Sequence, residues 1–289
     1  MKDISALTTK VMIATAGVMI AFAANSILVR LALSAGSIGP SSFSVIRVLA
    51  GAIVLTLIAN PRRSIQSGNW TAALYLLAYV MFFSYAYLSL DAGTGALILF
   101  ATVQIVMIGS GIRDGERLSL VQWIGMALAC VGLVFLLSPG ATSAPNPVGA
   151  LLMGLSGLGW ALYSLGGRQA EAATLATAGN FVKASAYVLV IAVPLLIAMP
   201  ESFPSVRGIA LAITSGAITS GLGYSLWYKV LPQIRATQAS IAQLSVPAIA
   251  AIGGMIFLNE AMTARLLITT ALVLGGVAMA TIWTRPNLN

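Results

Sequence analysis

QASIAQLSVPAIAAIGGMIFLNE, Gln238 to Glu260, is apolar and long enough to cross a bilayer as a helix, yet it holds two glutamines, a proline and a glycine pair. A glutamine facing hydrocarbon is costly, so Gln243 must face another helix or a water-filled path. Gln243 and Pro247 are four residues apart and share a helix face, with Gln238 little more than one turn earlier. Pro247 cannot donate its backbone hydrogen bond, so it should free a carbonyl near Gln243 and bend the helix. This segment therefore reads as a membrane span carrying polar groups and a bend.

The rest of the chain agrees. Of 289 residues 59% are hydrophobic and 8% charged, more apolar surface than a soluble fold of this size hides. Ten apolar runs are close to helical span length, at 11–32, 42–60, 70–90, 93–112, 119–137, 148–168, 175–198, 207–230, 235–258 and 264–283. The short alternating segments of a β-barrel are not seen, so the fold class is all-α and polytopic. The N-terminal run is too long for a signal peptide and reads as a retained first helix. Histidine is absent and Cys130 is the single cysteine, which removes an internal disulfide and the usual hydrolytic or metal-dependent sites. No enzyme activity, cofactor or metal is expected.

The net charge of +8 lies mainly in short loops and calls for no nucleic-acid partner. With the N terminus inside, Lys2, Lys10, Arg62, Arg63, Arg113, Arg117, Arg168, Lys229, Arg235 and Arg285 gather on the inner side, against Arg30, Arg207 and Arg265 outside. Both termini are therefore expected in the cytoplasm of a bacterial cell, with the protein in its inner membrane.

The uncharged stretch SPGATSAPNPVG, Ser138 to Gly149, divides the chain near its midpoint. Sliding the halves together places FAANS (Phe22 to Ser26) on WALYS (Trp160 to Ser164), Arg30 on Arg168 and Phe43 on Phe181. Further on, SYAY (Ser84 to Tyr87) falls on SLWY (Ser225 to Tyr228), GERLS (Gly115 to Ser119) on NEAMT (Asn259 to Thr263), and Gly132 on Gly276. The expected organisation is a first repeat over 1–138, a linker over 139–147 and a second repeat over 148–289. Five spans per half make the second repeat enter the membrane upside down, the inverted arrangement around a central cavity that permits alternating access.

Candidate site residues are those whose depth fits the membrane interfaces least. Tyr75, Tyr79 and Phe82 form an i, i+4, i+7 stripe, and Trp160 and Tyr163 share a face. Together with Asn25 these rings should form a large apolar pocket with a few polar donors, suited to an amphipathic solute. Asn180, Gln243 and Lys183 are candidates for the solute's charged end, with snorkelling to the interface as the alternative for Lys183. Pro247 is the candidate gating bend. Arg47 lies nearer the outer interface and is expected to find lipid headgroups or helix ends. Glu116 and Glu260 are expected to accept backbone amides at the start of the following helix. GLGWALYSLGG, Gly157 to Gly167, follows no strand and lies within a span, which excludes a nucleotide fingerprint.

SIAQLSVPAIAAIGGMIFLNEAMT (Ser240 to Thr263), with its partner LILFATVQIVMIGSGIRDGERLS (Leu97 to Ser119), resembles the drug/metabolite transporter superfamily, ten-helix proteins with two EamA-type repeats. The likeness runs over essentially the whole chain and is greatest to YddG-type exporters of aromatic and other hydrophobic amino acids. Val103 stands where the second half has Pro247, a departure within the first repeat. The resemblance implies a basket of helices around a cavity lined by spans 1, 3, 4, 6, 8 and 9, with spans 5 and 10 further out. It also implies export or facilitated movement of a small amphipathic solute. The alternatives are another solute (drug, nucleotide sugar or sugar phosphate) or a non-transporting membrane scaffold.

Overall fold

The computed structural model describes residues 2–113, 115, 119–138, 144–167, 172–230, 233 and 242–282, and every regular element among them is helical. They are α1 (Lys2–Ser34), α2 (Pro40–Ala59), α3 (Pro61–Gln66), α4 (Trp70–Ala86), α5 (Ala92–Arg113), α6 (Leu120–Leu137), α7 (Pro147–Gly167), α8 (Ala173–Ala198) and α9 (Val206–Thr214). A π-helix (Ser215–Leu222) joins α9 to α10 (Gly223–Val230), and α11 (Ser245–Leu258) and α12 (Ala264–Ile282) follow. Seven helical runs are long and apolar enough to cross a membrane, with Val206–Val230 forming one of them. Shorter apolar helices at α4, α11 and Ala264–Met279 bring the spans to ten.

The helix ends follow from local chemistry. Pro40 and Pro61 occupy first-turn positions, where a missing N–H costs nothing. Asn69 caps α4 by accepting from Thr71 N and Ala72 N, and Ser119 with Gln122 forms a capping box on α6. Asn259 ends α11 in the left-handed conformation at φ 54°. Pro247 lies in the first turn of α11, just after the helical path is interrupted at Leu244. Gln238 lies outside the described residues.

With the spans numbered one to ten, span 1 packs on spans 8 and 9 while span 6 packs on spans 3 and 4. Span 2 packs on 7, span 4 on 9 and span 5 on 10; span 2 also meets 8, as 7 meets 3. Replacing each number n by n ± 5 reproduces these principal pairings. Phe22 and Trp160, matched between the halves, touch each other edge to face at 5.7 Å. The pair formed by spans 5 and 10 packs mainly with itself, away from the centre.

One approach is close enough to dictate composition. A Cβ on Gly216 would lie 2.1 Å from the Arg47 carbonyl oxygen, and one on Gly51 would lie 2.5 Å from the Phe181 ring. Glycine at these positions lets the π-helix rest on α2 backbone against backbone.

Candidate functional site

At the centre, α1, α4, α5, α7 and α10 surround a small cavity lined by Phe22, Asn25, Ser26, Tyr79, Phe83, Ala96, Leu99, Phe100, Trp160 and Tyr224. It holds about 10 Å³, room for roughly one water. The rings close it on themselves. Trp160 lies 5.0 Å from Tyr79 and 4.8 Å from Tyr224, and Phe22 meets both Tyr224 and Trp227 edge to face. The large pocket expected from the sequence is thus collapsed here, because the aromatic side chains that line it fill it.

Directly behind these rings stands Arg47, fully buried. Its Nε donates to Ser220 Oγ at 3.1 Å, and its Nη2 donates to Tyr79 OH at 2.9 Å and Tyr224 OH at 3.3 Å. The guanidinium also lies 5.0 Å from the Phe83 centroid and 5.2 Å from that of Tyr79. Nη1 has no hydrogen-bond partner among the described residues. The expectation that Arg47 reaches headgroups is corrected: it lies seven residues into α2, about 10 Å from the helix start, and points inward. The π-helix supplies the hydroxyls of this shell, with Ser215, Thr219 and Ser220 all donating to Asn25 Oδ1.

Toward the N-terminal face a second cavity of about 230 Å³ is lined by Gly68, Asn69, Ala72, Gly166, Gly167, Ala176, Thr177, Asn180 and Tyr228. Tyr163 lies between the two cavities, 5.9 Å from Trp160 and 6.4 Å from Tyr228. The loop after α3 is pressed into α8 where Gly179 removes a side chain; a Cβ there would lie 2.2 Å from Ser67 O. Asn180 Oδ1 accepts from Asn69 N at 2.7 Å. Lys183 Nζ donates to the carbonyl oxygens of Ser67 and Ile65, at the C-terminal end of α3.

The opposite face is sealed. Arg30 donates from Nε to Glu260 at 3.1 Å, from Nη1 to Tyr87 O at 3.0 Å, and from Nη2 to Asp91 at 3.4 Å. Glu260 also accepts from Ala92 N at 2.8 Å, so the amide it serves begins α5 and not the following helix. Thr263 Oγ1 accepts from Leu266 N in the first turn of α12 instead. Burial holds the Glu260 carboxyl above its ordinary range, helped by Asp91 and opposed by the Ala92 amide and Arg30. Glu201 accepts from Ser41 N and Ser42 N at the start of α2, tying the connection after α8 across the same face. Glu116 lies outside the described residues.

Of the residues chosen from sequence, Asn25, Tyr79 and Trp160 meet at the central cavity, Tyr163 lies below it and Asn180 lines the second cavity. Phe82, Lys183 and Gln243 line neither. Phe82 is half-buried outside both cavities; the stripe facing the centre is Tyr79, Phe83 and Tyr87, with successive contacts of 5.3 and 4.8 Å. Gln243 is buried near the start of α11. Sequence reasoning missed Phe22, Phe83, Tyr224 and above all Arg47. The available signal for Arg47 was its distance from either end of α2, too great for its side chain to span.

Comparison with known proteins fits this architecture. The uncharacterized protein PA1977 of Pseudomonas aeruginosa is 45% identical over 264 residues, 90% of this chain and 91% of its own. The uncharacterized transporter YoaV of Bacillus subtilis is 23% identical, covering 84% of this chain and 88% of its own. A crystal structure of a protein 19% identical in sequence superposes with a TM-score of 0.68 over 96% of this chain and 99% of its own, a likeness of fold. The model of the EamA-like transporter family matches residues 9–138 and again 147–282. Those two segments between them hold all ten spans and every residue of both cavities, and the chain belongs to the EamA-like transporter family of multi-pass membrane proteins.

Proposed function

We propose that the protein moves small amphipathic metabolites, aromatic and other hydrophobic amino acids foremost, across a bacterial inner membrane by alternating access. One observation carries this reading. A ring-lined cavity with polar groups at its wall lies between a sealed face and a face that already holds a 230 Å³ vestibule. The two segments 1–138 and 148–289 act as inverted repeats that rock about this centre, as the reproduction of the span pairings on exchanging n for n ± 5 supports. The excess of Lys and Arg near the N-terminal face favours a cytoplasmic position for that face and for both termini. The vestibule is then cytoplasmic and the Arg30–Glu260 contacts close the outer side, an arrangement suited to export.

In this reading Tyr79, Trp160 and Phe22 hold the solute's apolar body, Asn25 its polar end, and Tyr163 with Tyr228 separates the vestibule from the centre. Asn180 is met at entry, and the interruption before Pro247 lets α11 bend. Phosphorylated solutes rank lower, since they need several buried cations. Proteoliposomes preloaded with phenylalanine should release it faster than protein-free vesicles; equal leak would leave a scaffold as the better reading.

A further inference from the structure

We infer that the central site selects a monoanion: its preferred ligand is an aromatic carboxylate, and the α-ammonium group of an amino acid contributes nothing to binding. This rests on the transport reading only for its consequence for flux; the binding claim stands on the geometry below.

Arg47 is a fully buried cation with no counter-charge among the described residues. None of the chain's seven Asp and Glu residues falls within a span. Its described partners are neutral, namely Ser220, Tyr79, Tyr224 and the Phe83 ring. A lone cation at such depth is destabilising unless something neutral-polar or anionic answers it. Three hydroxyls answer it in part, and Nη1 is left over.

The same contacts fix what the cavity offers. Tyr79 oxygen accepts from Arg47 Nη2 and from Tyr224 OH, the latter at 3.2 Å, which fills both lone pairs and leaves its own hydrogen to be donated. Asn25 Oδ1 accepts from Ser215 Oγ at 2.8 Å, with Thr219 and Ser220 also within reach of that oxygen, so what this cavity-lining residue has left to offer is its amide N–H groups. Trp160, 3% exposed and lining the cavity, has an indole N–H with no partner among the described residues. Each of these groups donates, and behind them lies a positive charge. A carboxylate satisfies all of them at once, whereas an ammonium finds the Arg47 charge and no carboxylate to offset it.

The cavity must widen to admit a ligand, and the rings now stacked across it supply the walls. The carboxylate takes the place beside Tyr79 and Trp160 in the cavity, with Arg47 held behind the Tyr79 hydroxyl, and the ligand's own ring replaces one of the ring contacts.

The test is calorimetric binding to the full chain in detergent, with 3-phenylpropionate, phenylalanine, 3-phenylpropionamide and phenethylamine as probes. The acid is expected to bind at least as tightly as phenylalanine, and the amide and amine at least tenfold more weakly. Arg47→Met should bring acid and amide within twofold of one another. Should that variant fail to fold, Tyr79→Phe and Trp160→Phe each keep an aromatic ring and remove one donor; each should weaken the acid three- to tenfold more than it weakens the amine. Amine or amide binding as tight as the acid, absence of acid binding, or an acid preference left undiminished by these replacements overturns the inference. Acid binding without phenylalanine flux in proteoliposomes removes the transport reading alone, and equal flux of phenylalanine and phenethylamine removes the anion site alone.

Discussion

Replacing Arg30 with glutamine should open the face opposite the N terminus. Arg30 joins α1 to the Tyr87 carbonyl, to Asp91 and to Glu260, and its loss leaves the Glu260 carboxylate with the Ala92 amide as its described donor. Removing one partner of a buried ion pair costs about 3–5 kcal/mol, and an exposed pair is worth about 0–1 kcal/mol. The Arg30 and Glu260 side chains are 18% and 11% exposed, nearer the buried limit. An intermediate cost of about 2–3 kcal/mol displaces the equilibrium toward the open form by roughly 30- to 150-fold. The assay is labelling of Ser26→Cys, in the central cavity, by a membrane-impermeant maleimide applied from that face in a Cys130→Ser background. Glu260→Gln alone should change little, since the glutamine oxygen can still accept from Ala92 N. Added to Arg30→Gln it should restore slow labelling, because no charge is left stranded. Unchanged labelling in Arg30→Gln, or no recovery in the double variant, refutes the reasoning. The pH dependence has a defined sign. Glu260 is raised in the closed form, so that form binds the proton more tightly and gains on acidification from the raised value down to the ordinary carboxylate range. Relative to the labelling rate of a freely exposed cysteine at each pH, wild-type labelling should slow across that interval, and Glu260→Gln should abolish this residual dependence.

Three further outcomes follow from the packing. Gly216→Ala drives a methyl into the Arg47 carbonyl and should destabilise the protein by about 1–3 kcal/mol, seen as a lower melting temperature in detergent, whereas Gly17→Ala, with open space at that position, should not. Lys183→Met should lower stability and affect flux of an amino acid and its amide equally, since its ammonium is bound to backbone carbonyls; a carboxylate-specific loss would return Lys183 to the binding site. Asn25→Asp places an anion one hydroxyl away from Arg47, through Ser220, and should abolish 3-phenylpropionate binding while leaving or improving that of phenethylamine.

The spans were legible because hydrocarbon punishes polar side chains and unpaired backbone so severely that composition alone marks them. Phe22 and Trp160 were matched by order and offset, and they meet at the centre. What the sequence could not show was rotation about each helix axis, since spans this uniformly apolar have no strong polar face. That is why Phe82 was chosen over Phe83. Arg47 and Lys183 look alike in the sequence, a cation well inside an apolar run. Their fates differ because the α3–α4 loop folds inward beside Lys183 and offers it carbonyl oxygens, whereas Arg47 faces phenols and a hydroxyl-bearing π-helix. Those are long-range placements. The repeat offset adds a clue that went unused: Arg47 falls opposite Ser185, so one half carries a cation where the other does not.

The wide coil from Ser215 to Leu222 has an evolutionary corollary. Its hydrogen bonds reach one residue further than those of the α-helix on either side, so the eighth span stores a surplus residue at mid-depth. Excising one residue there would let ordinary winding resume without shortening either flanking segment, a deletion that a span wound as α-helix throughout has no slack to absorb. The sequence register at this point is therefore adjustable, and related chains could differ in length here while keeping both membrane borders fixed.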